Sequence, residues 1–132
     1  MIVLDTHALI WWASQDTQLS AAAKKVIEDE LADGGTVVVS AISAWELAQL
    51  VDRGRIALAM DLDEWMRAVE SIDGVWVVPL SAQTAIQSVN LPGEFHKDPA
   101  DRKIVALARE RNAVLVTGDE KIQRYPHVKW TW

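Results

Sequence analysis

Cysteine is absent from the 132 residues, so neither disulfides nor thiolate chemistry is available, and any metal bound here meets oxygen ligands. That lack fits a reducing cytoplasm. Long apolar runs are missing too. No hydrophobic stretch reaches spanning length and no basic start precedes one, which argues against membrane insertion and secretion. The three histidines form no closely spaced pair, so a zinc site is not expected. Basic residues are in deficit, 13 against 19 acids, whereas a nucleic-acid partner ordinarily calls for clustered Lys and Arg. The distribution softens that objection. Residues 1–93 hold five basic and thirteen acidic side chains, a balance of −8, and residues 94–132 hold eight and six, a balance of +2. A bound cation would neutralise several acids, and an acidic face could equally receive a basic partner protein.

Half of the residues are apolar, enough for one domain with a real hydrophobic core and too many for general disorder. No repeat, low-complexity segment or second domain is visible. Short apolar strands alternate with helical patterns. The first strand is Met1-Ile-Val-Leu4, followed by a short helix through Leu9-Ile-Trp-Trp12 and a longer one from Ser20, a capping residue, to about Asp33 before Gly34-Gly35. Thr36-Val-Val-Val-Ser40 reads as the second strand and Ser43-Ala-Trp-Glu46 as the opening of the next helix, closed by Gly54. A helix from about Asp61 to Ile72 ends at Asp73-Gly74, and Val75-Trp-Val-Val78 is the third strand. A short helix starts near Ser81, Pro99 opens a helix to about Arg111, and strands are expected at 113–117 and near Val128. Such alternation implies an α/β fold with a central, mainly parallel sheet flanked by helices on both faces.

Four acids fall where this arrangement brings them to one sheet edge: Asp5, Glu46, Asp101 and Asp119. Asp5 ends the first strand and Asp119 follows Ala113-Val-Leu-Val-Thr-Gly118, so both lie past the C-terminal ends of buried strands, where open α/β sheets bind ligands. Glu46 and Asp101 are each placed in the first turn of a helix. Each has an ordinary structural explanation beside the functional one. Ser43-x-x-Glu46 is a capping-box pattern, Asp98 before Pro99 reads as an N-cap, Asp101 suits a helix N-terminus, and Asp119 after Gly118 is a turn residue. Asp5 is the hardest to explain away, because an acid directly after a buried strand must be solvated, paired or bound to metal. Clustering also has a cost. Two carboxylates about 4 Å apart repel by roughly 4 kcal/mol at an effective dielectric near 20. Either a divalent cation or a proton held at raised pKa is needed. Carboxylates suit Mg²⁺ or Mn²⁺, which activate water for in-line attack on a phosphodiester.

The segments Leu4-Asp-Thr-His-Ala-Leu-Ile-Trp-Trp12, Ser40-Ala-Ile-Ser-Ala-Trp-Glu-Leu47, His96-Lys-Asp-Pro-Ala-Asp-Arg102 and Leu115-Val-Thr-Gly-Asp119 resemble PIN-domain ribonucleases, most of all VapC-type toxins of bacterial toxin-antitoxin pairs. The match is collinear over nearly the whole chain. It implies a single PIN-like domain over 1–132 and an endoribonuclease dependent on Mg²⁺ or Mn²⁺. Asp5, Glu46, Asp101 and Asp119 occupy the metal-site positions. Asp98 is a further acid that the motif does not separate from Asp101, and Thr6 is a candidate to hold a ligand or water. The implied partners are RNA, a cognate VapB-like antitoxin lying across a hydrophobic groove, and a second copy of the toxin. Arg102, Lys103 and Lys97 are candidate RNA contacts, with Arg53, Arg55, Lys121 and Arg124 as a wider phosphate-binding rim.

His7 and His96 could contact RNA or shuttle protons, although a histidine near a helix start more often bonds locally. Among seven tryptophans, Trp45 and Trp76 are read as core residues, while Trp11, Trp12 and Trp65 lie on helices that need not all face the core. Two other function classes stand beside the nuclease. One is a phosphatase-like hydrolase with Asp5 as nucleophile, weakened because His7 stands where such enzymes place a second acid. The other is a non-catalytic module that acts by binding a partner.

Overall fold

The computed structural model describes all 132 residues. In chain order the elements are β1 (Ile2–Leu4), α1 (Thr6–Ala13), α2 (Ala21–Ala32), β2 (Val37–Ser40), α3 (Ala41–Asp52), α4 (Leu62–Glu70), β3 (Val75–Val78), α5 (Ala82–Val89), α6 (Pro99–Glu110), β4 (Val114–Val116), α7 (Glu120–Gln123) and β5 (Trp130–Thr131). The expected alternation is present, and helix starts follow residue chemistry. Ser20 accepts the amide of Ala23 and Ser81 that of Thr84, each satisfying a donor that the first turn would otherwise leave open. No helix is long and apolar enough to cross a membrane.

All five strands are parallel, in the order β3-β2-β1-β4-β5. Alternate side chains of each strand point to opposite faces, which divides the core in two. Ile2 and Leu4 of β1 join Val37, Val39 and Val116 under α1, α2, α3 and α4, with Leu9, Ile27, Leu47, Trp65 and Val69 as the helical contribution. Val3, Val38 and Leu115 face the other way, onto Ile104, Val105 and Ala108 of α6 and onto Ile122 and Tyr125. Helices thus cover both faces, with α5 packed on α6, and α3 touching both α1 and α6.

Several local readings change. The α3 helix begins at Ala41, with Ser40 as its cap, whose hydroxyl accepts the amide of Ile42. Ser43 is therefore inside the helix and Glu46 lies in the second turn, so no capping box forms. The last strand is Trp130–Thr131, since pairing to β4 begins where Leu115 N donates to Lys129 O, one residue past Val128. Neither Trp45 nor Trp76 is a core residue: they are 51% and 54% exposed. Trp45 is two residues from both Ser43 and Leu47, roughly 200° around the helix from those buried positions. Trp76 lies on edge strand β3, beyond the covered middle of the sheet. Trp65 is the tryptophan that enters the core.

The turn into β3 depends on Gly74, whose φ of +88° is open to glycine at little cost and whose absent Cβ would meet Leu31 Cδ2 at 2.8 Å. Gly74→Ala should therefore lower the unfolding free energy by about 2 kcal/mol, from left-handed backbone strain and the displaced leucine together. Urea denaturation reads this as a lower midpoint at unchanged slope, and an unchanged midpoint would contradict the account.

Candidate active site

Chain direction across the sheet reverses at β1: the path runs outward through β2 to β3, then crosses back to β4 on the other side of β1. A crevice opens at such a switch point beyond the carboxyl ends of the strands. Asp5 leaves β1 there, Thr117 to Asp119 leave β4 there, and Ser40 and α3 leave β2 alongside.

Asp5 is buried, at 2% exposure, and is the N-cap of α1. Its Oδ1 accepts the amide of Thr6 at 2.8 Å, and its Oδ2 accepts the hydroxyl of Thr117 at 2.7 Å. The capping role answers the question of why an acid follows this strand, and it leaves each oxygen with a further lone pair. Thr117 was not anticipated as a site residue. Fully buried, it also accepts the amide of Asp119 at 3.0 Å and so ties the two acids together through one hydroxyl. Its only sequence signal is a hydroxyl residue at the end of an apolar strand, just before Gly118-Asp119. Asp119 is itself the N-cap of α7, its Oδ1 accepting the amide of Lys121.

Thr6 reaches the second helix of the site. Its Oγ1 lies 2.5 Å from Glu46 Oε1 and 2.9 Å from Ser43 Oγ, so the side chain of Glu46 is oriented from α1 and not by its own helix start. Burial raises the pKa of Glu46, and Asp5 and Asp98 push it the same way, against the stabilising bond from Thr6.

Asp98 is the N-cap of α6, accepting the amide of Asp101 at 3.0 Å, with Pro99 in the first turn. Asp101 is more enclosed. Burial first, then the charges of Asp5, Asp98, Asp119 and Glu46, push its pKa up to about 8. That shared influence places all five acids in one electrostatic cluster. His96 Nε2 lies 3.1 Å from Asp101 Oδ2, yet it is too poorly aligned for a hydrogen bond and is otherwise buried without a partner. No Lys or Arg forms an ion pair with any of the five.

No three His, Asp or Glu side chains converge into a ready-made cation cage. The donor chemistry nonetheless fits a hard divalent cation. The donors are carboxylate and hydroxyl oxygens, and the neighbouring negative charge, which adds to burial in raising Asp101 and Glu46, is what such an ion would offset.

The basic residues divide. Arg102, expected at RNA, turns inward instead: Nε donates to Ser88 O, Nη1 to Phe95 O and His96 O, and Nη2 to Val89 O, with the guanidinium 5.9 Å from the centre of the Phe95 ring. Its planar fork gathers the end of α5 and the loop before Asp98, so most of its N–H donors serve the fold. Lys97 is exposed, and Lys103 is half-buried with Nζ 3.4 Å from Pro99 O. Arg124 pairs with Glu120 on the surface, and Arg53, Arg55 and Lys121 are solvent-exposed. His7 does not bond locally as a histidine near a helix start would: its Nε2 accepts the amide of Gly118, in the segment after β4.

Sheet order, the acids at the switch point and the collinear motifs converge on one assignment: residues 2–128 match the PIN domain family, and the chain belongs to it. Divalent-metal dependence is general among PIN-domain ribonucleases. One relative, Ribonuclease VapC22 of Mycobacterium tuberculosis, is 40% identical over 129 residues, spanning 96% of this chain and 92% of that protein. The fold is shared with VapBC2 from Rickettsia felis, solved bound to a DNA fragment from its promoter (TM-score 0.69, 20% identity, 99% of this chain and 98% of that one). It is also shared with VapC20 of Mycobacterium tuberculosis, a sarcin-ricin loop cleaving toxin (TM-score 0.59, 18% identity, 98% and 99%).

The raised pKa of Asp101 has a consequence for stability. Free Asp titrates at 3.8, and Asp101 in the fold at about 8, so between these values the folded chain holds a proton that the unfolded chain has released. Its contribution to stability is complete below 3.8 and is lost as the pH rises through 8. In chelator, Asp101→Asn should flatten this decline and raise the unfolding free energy at high pH by at least about 1 kcal/mol, the worth of roughly one pKa unit. Urea melts near pH 6 and pH 9 compare the two proteins, and an equally steep decline in the variant would refute the assignment.

Proposed function

We propose that this protein is a metal-dependent endoribonuclease and the toxin of a toxin-antitoxin pair. The observation that carries the reading is the electrostatic cluster of Asp5, Glu46, Asp98, Asp101 and Asp119 at the switch point, in a PIN-domain chain 40% identical to a ribonuclease. Asp5, Glu46, Asp101 and Asp119 would hold Mg²⁺ or Mn²⁺, with Asp98 beside them. When bound, the ion lowers the pKa of a water and offsets charge on the phosphate under attack.

The chain's own residues prepare for that chemistry. Thr117 holds Asp5 Oδ2, and Thr6 holds Glu46 Oε1, so two carboxylates are oriented before any ligand arrives. Asp101 carries a proton at neutral pH without an added cation and gives it up when the cluster is neutralised. Lys97 and Lys103, which flank Asp98 and Asp101 in sequence, would be the basic residues to meet the RNA backbone.

The hydrolase reading with Asp5 as nucleophile is disfavoured by the same geometry. Asp5 is buried and its orientation is fixed by two hydrogen bonds, and His7, two residues on, accepts the Gly118 amide at Nε2 and turns Nδ1 toward Asp5 itself, not toward a leaving group. For partners, a cleft of about 700 Å³ that sets Trp11, Trp12, Leu19 and Ile72 beside Asp16, Lys24 and Glu28 offers a mixed apolar and charged seat for an antitoxin segment. Exposed Ile86 and Val89 on α5 offer a face for pairing of two toxins.

Antitoxin-free protein is expected to cut cellular RNA into discrete fragments with Mg²⁺ or Mn²⁺ and to stop in chelator. Asp5→Asn should reduce cleavage by at least about 100-fold, the upper range for loss of even an indirect metal-site partner. Cleavage that persists in chelator, or an equally active Asp5→Asn, would reject the metal mechanism. Silence of the folded, metal-loaded protein toward all RNA would favour the partner-binding module.

A further inference from the structure

Two halves of the acidic site come from different strands, Asp5 from β1 and Asp119 from the segment after β4. The sheet itself stops holding them together at the bond from Asp5 N to Val116 O. Beyond that rung two links remain. One is the Thr117 hydroxyl on Asp5 Oδ2; the other joins the backbone just before Asp119 to α1, where Gly118 N donates to His7 Nε2 at 3.0 Å.

The imidazole is fixed on its other sides. Nδ1 is 3.6 Å from Asp5 Oδ2, the ring packs 5.0 Å from Trp11 and edge-on 5.8 Å from Trp132, and those two indoles lie 5.8 Å from each other. Because Nε2 accepts, the ring proton belongs on Nδ1, facing Asp5. Trp132 also lies against the joint being held: a Cβ on Gly118 would come 2.8 Å from its Cε2. The ring is therefore a rigid acceptor, braced by two aromatics and aimed at the one residue in this segment without a side chain.

We propose that His7 is a positioning residue, whose Nε2 latches Gly118 to α1 and so sets the separation of Asp5 and Asp119, with Trp11 and Trp132 as its clamp. This rests on the reading of those acids as metal ligands. The latch acts through its acceptor atom and not through ring packing, and two substitutions separate the roles. His7→Phe keeps an aromatic ring and removes the acceptor. His7→Gln keeps an acceptor at the Nε2 position and removes the ring.

The test uses the full chain and its two variants, with amide exchange of Gly118 in chelator, calorimetric titration with Mn²⁺, and kcat and KM for RNA cleavage. In His7→Phe the Gly118 amide should exchange faster, and Mn²⁺ affinity and kcat should both fall by about 10- to 100-fold, as for other groups that orient metal ligands, with KM unchanged. In His7→Gln all three should recover most of the way. Phe outperforming Gln would show that packing is the role of the ring, and native Mn²⁺ affinity in His7→Phe would likewise overturn the proposal. Failure of the unsubstituted protein to bind Mn²⁺ would overturn the nuclease reading, and the purpose of the latch with it. The exchange rate of Gly118 reports the latch independently of that result.

Discussion

A carboxylate buried at the end of the central strand is the constraint around which this site is organised. Asp5 leaves β1 with almost no exposure to water, and an ionised group in such a place is tolerated only if hydrogen bonds replace its hydration. Two donors do so, one from the next peptide and one from the neighbouring strand's end. The first fixes where α1 begins, and the second fixes how β4 departs from the sheet. Thr6 then reaches Glu46 on α3, and Thr117 holds the amide of Asp119. Three segments distant in sequence, 5–6, 43–46 and 117–119, are thereby referenced to one side chain.

The same arrangement works against stability. Burial is the first cause of the upward shifts of Asp101 and Glu46, and acids gathered without a Lys or Arg among them add to it by repulsion. Arg102, three residues from Pro99 on the helix that carries Asp101, would be the natural counter-ion, yet its guanidinium is spent on four backbone carbonyls. The charge is left for something outside the chain to offset. Strain of this kind, relieved by a ligand and not by the fold, is a common mark of a functional site.

Much of this was legible in the sequence, for reasons that differ by element. Strands announced themselves as apolar runs because they are buried on both faces, as Val37 to Val39 are, and Ser20, Ser81 and Asp98 marked helix starts because capping depends on the residue itself. Where two residues carried equal local credentials, the sequence misled. Ser40 and Ser43 both suit an N-cap, and the choice is made by Thr6, which holds Ser43 from another helix. Trp45 and Trp76 are apolar by composition but lie opposite the buried face of α3 and on an edge strand, facts of register and sheet order that no single residue encodes. Arg102 looked like a phosphate ligand because its carbonyl partners come from α5 and the following loop, whose approach is set by tertiary packing. Thr117 passed unnoticed for the same reason.

The ordinary and functional readings of the acids turn out not to compete. Asp5, Asp98 and Asp119 are each the N-cap of a helix, each giving Oδ1 to a backbone amide. A carboxylate so used is held at a fixed orientation by a group that the helix must satisfy in any case, and the helix N-terminus favours its negative charge. Acceptor capacity remains on such a carboxylate after the cap is made. Glu46 sits outside this scheme in the second turn of α3, where no orphan amide is available, and its orientation comes from Thr6 instead. Capping thus fixes the carboxylates of three short segments whose charges all act on Asp101, and a capping signal at the end of a buried strand is consistent with a ligand site and no argument against one.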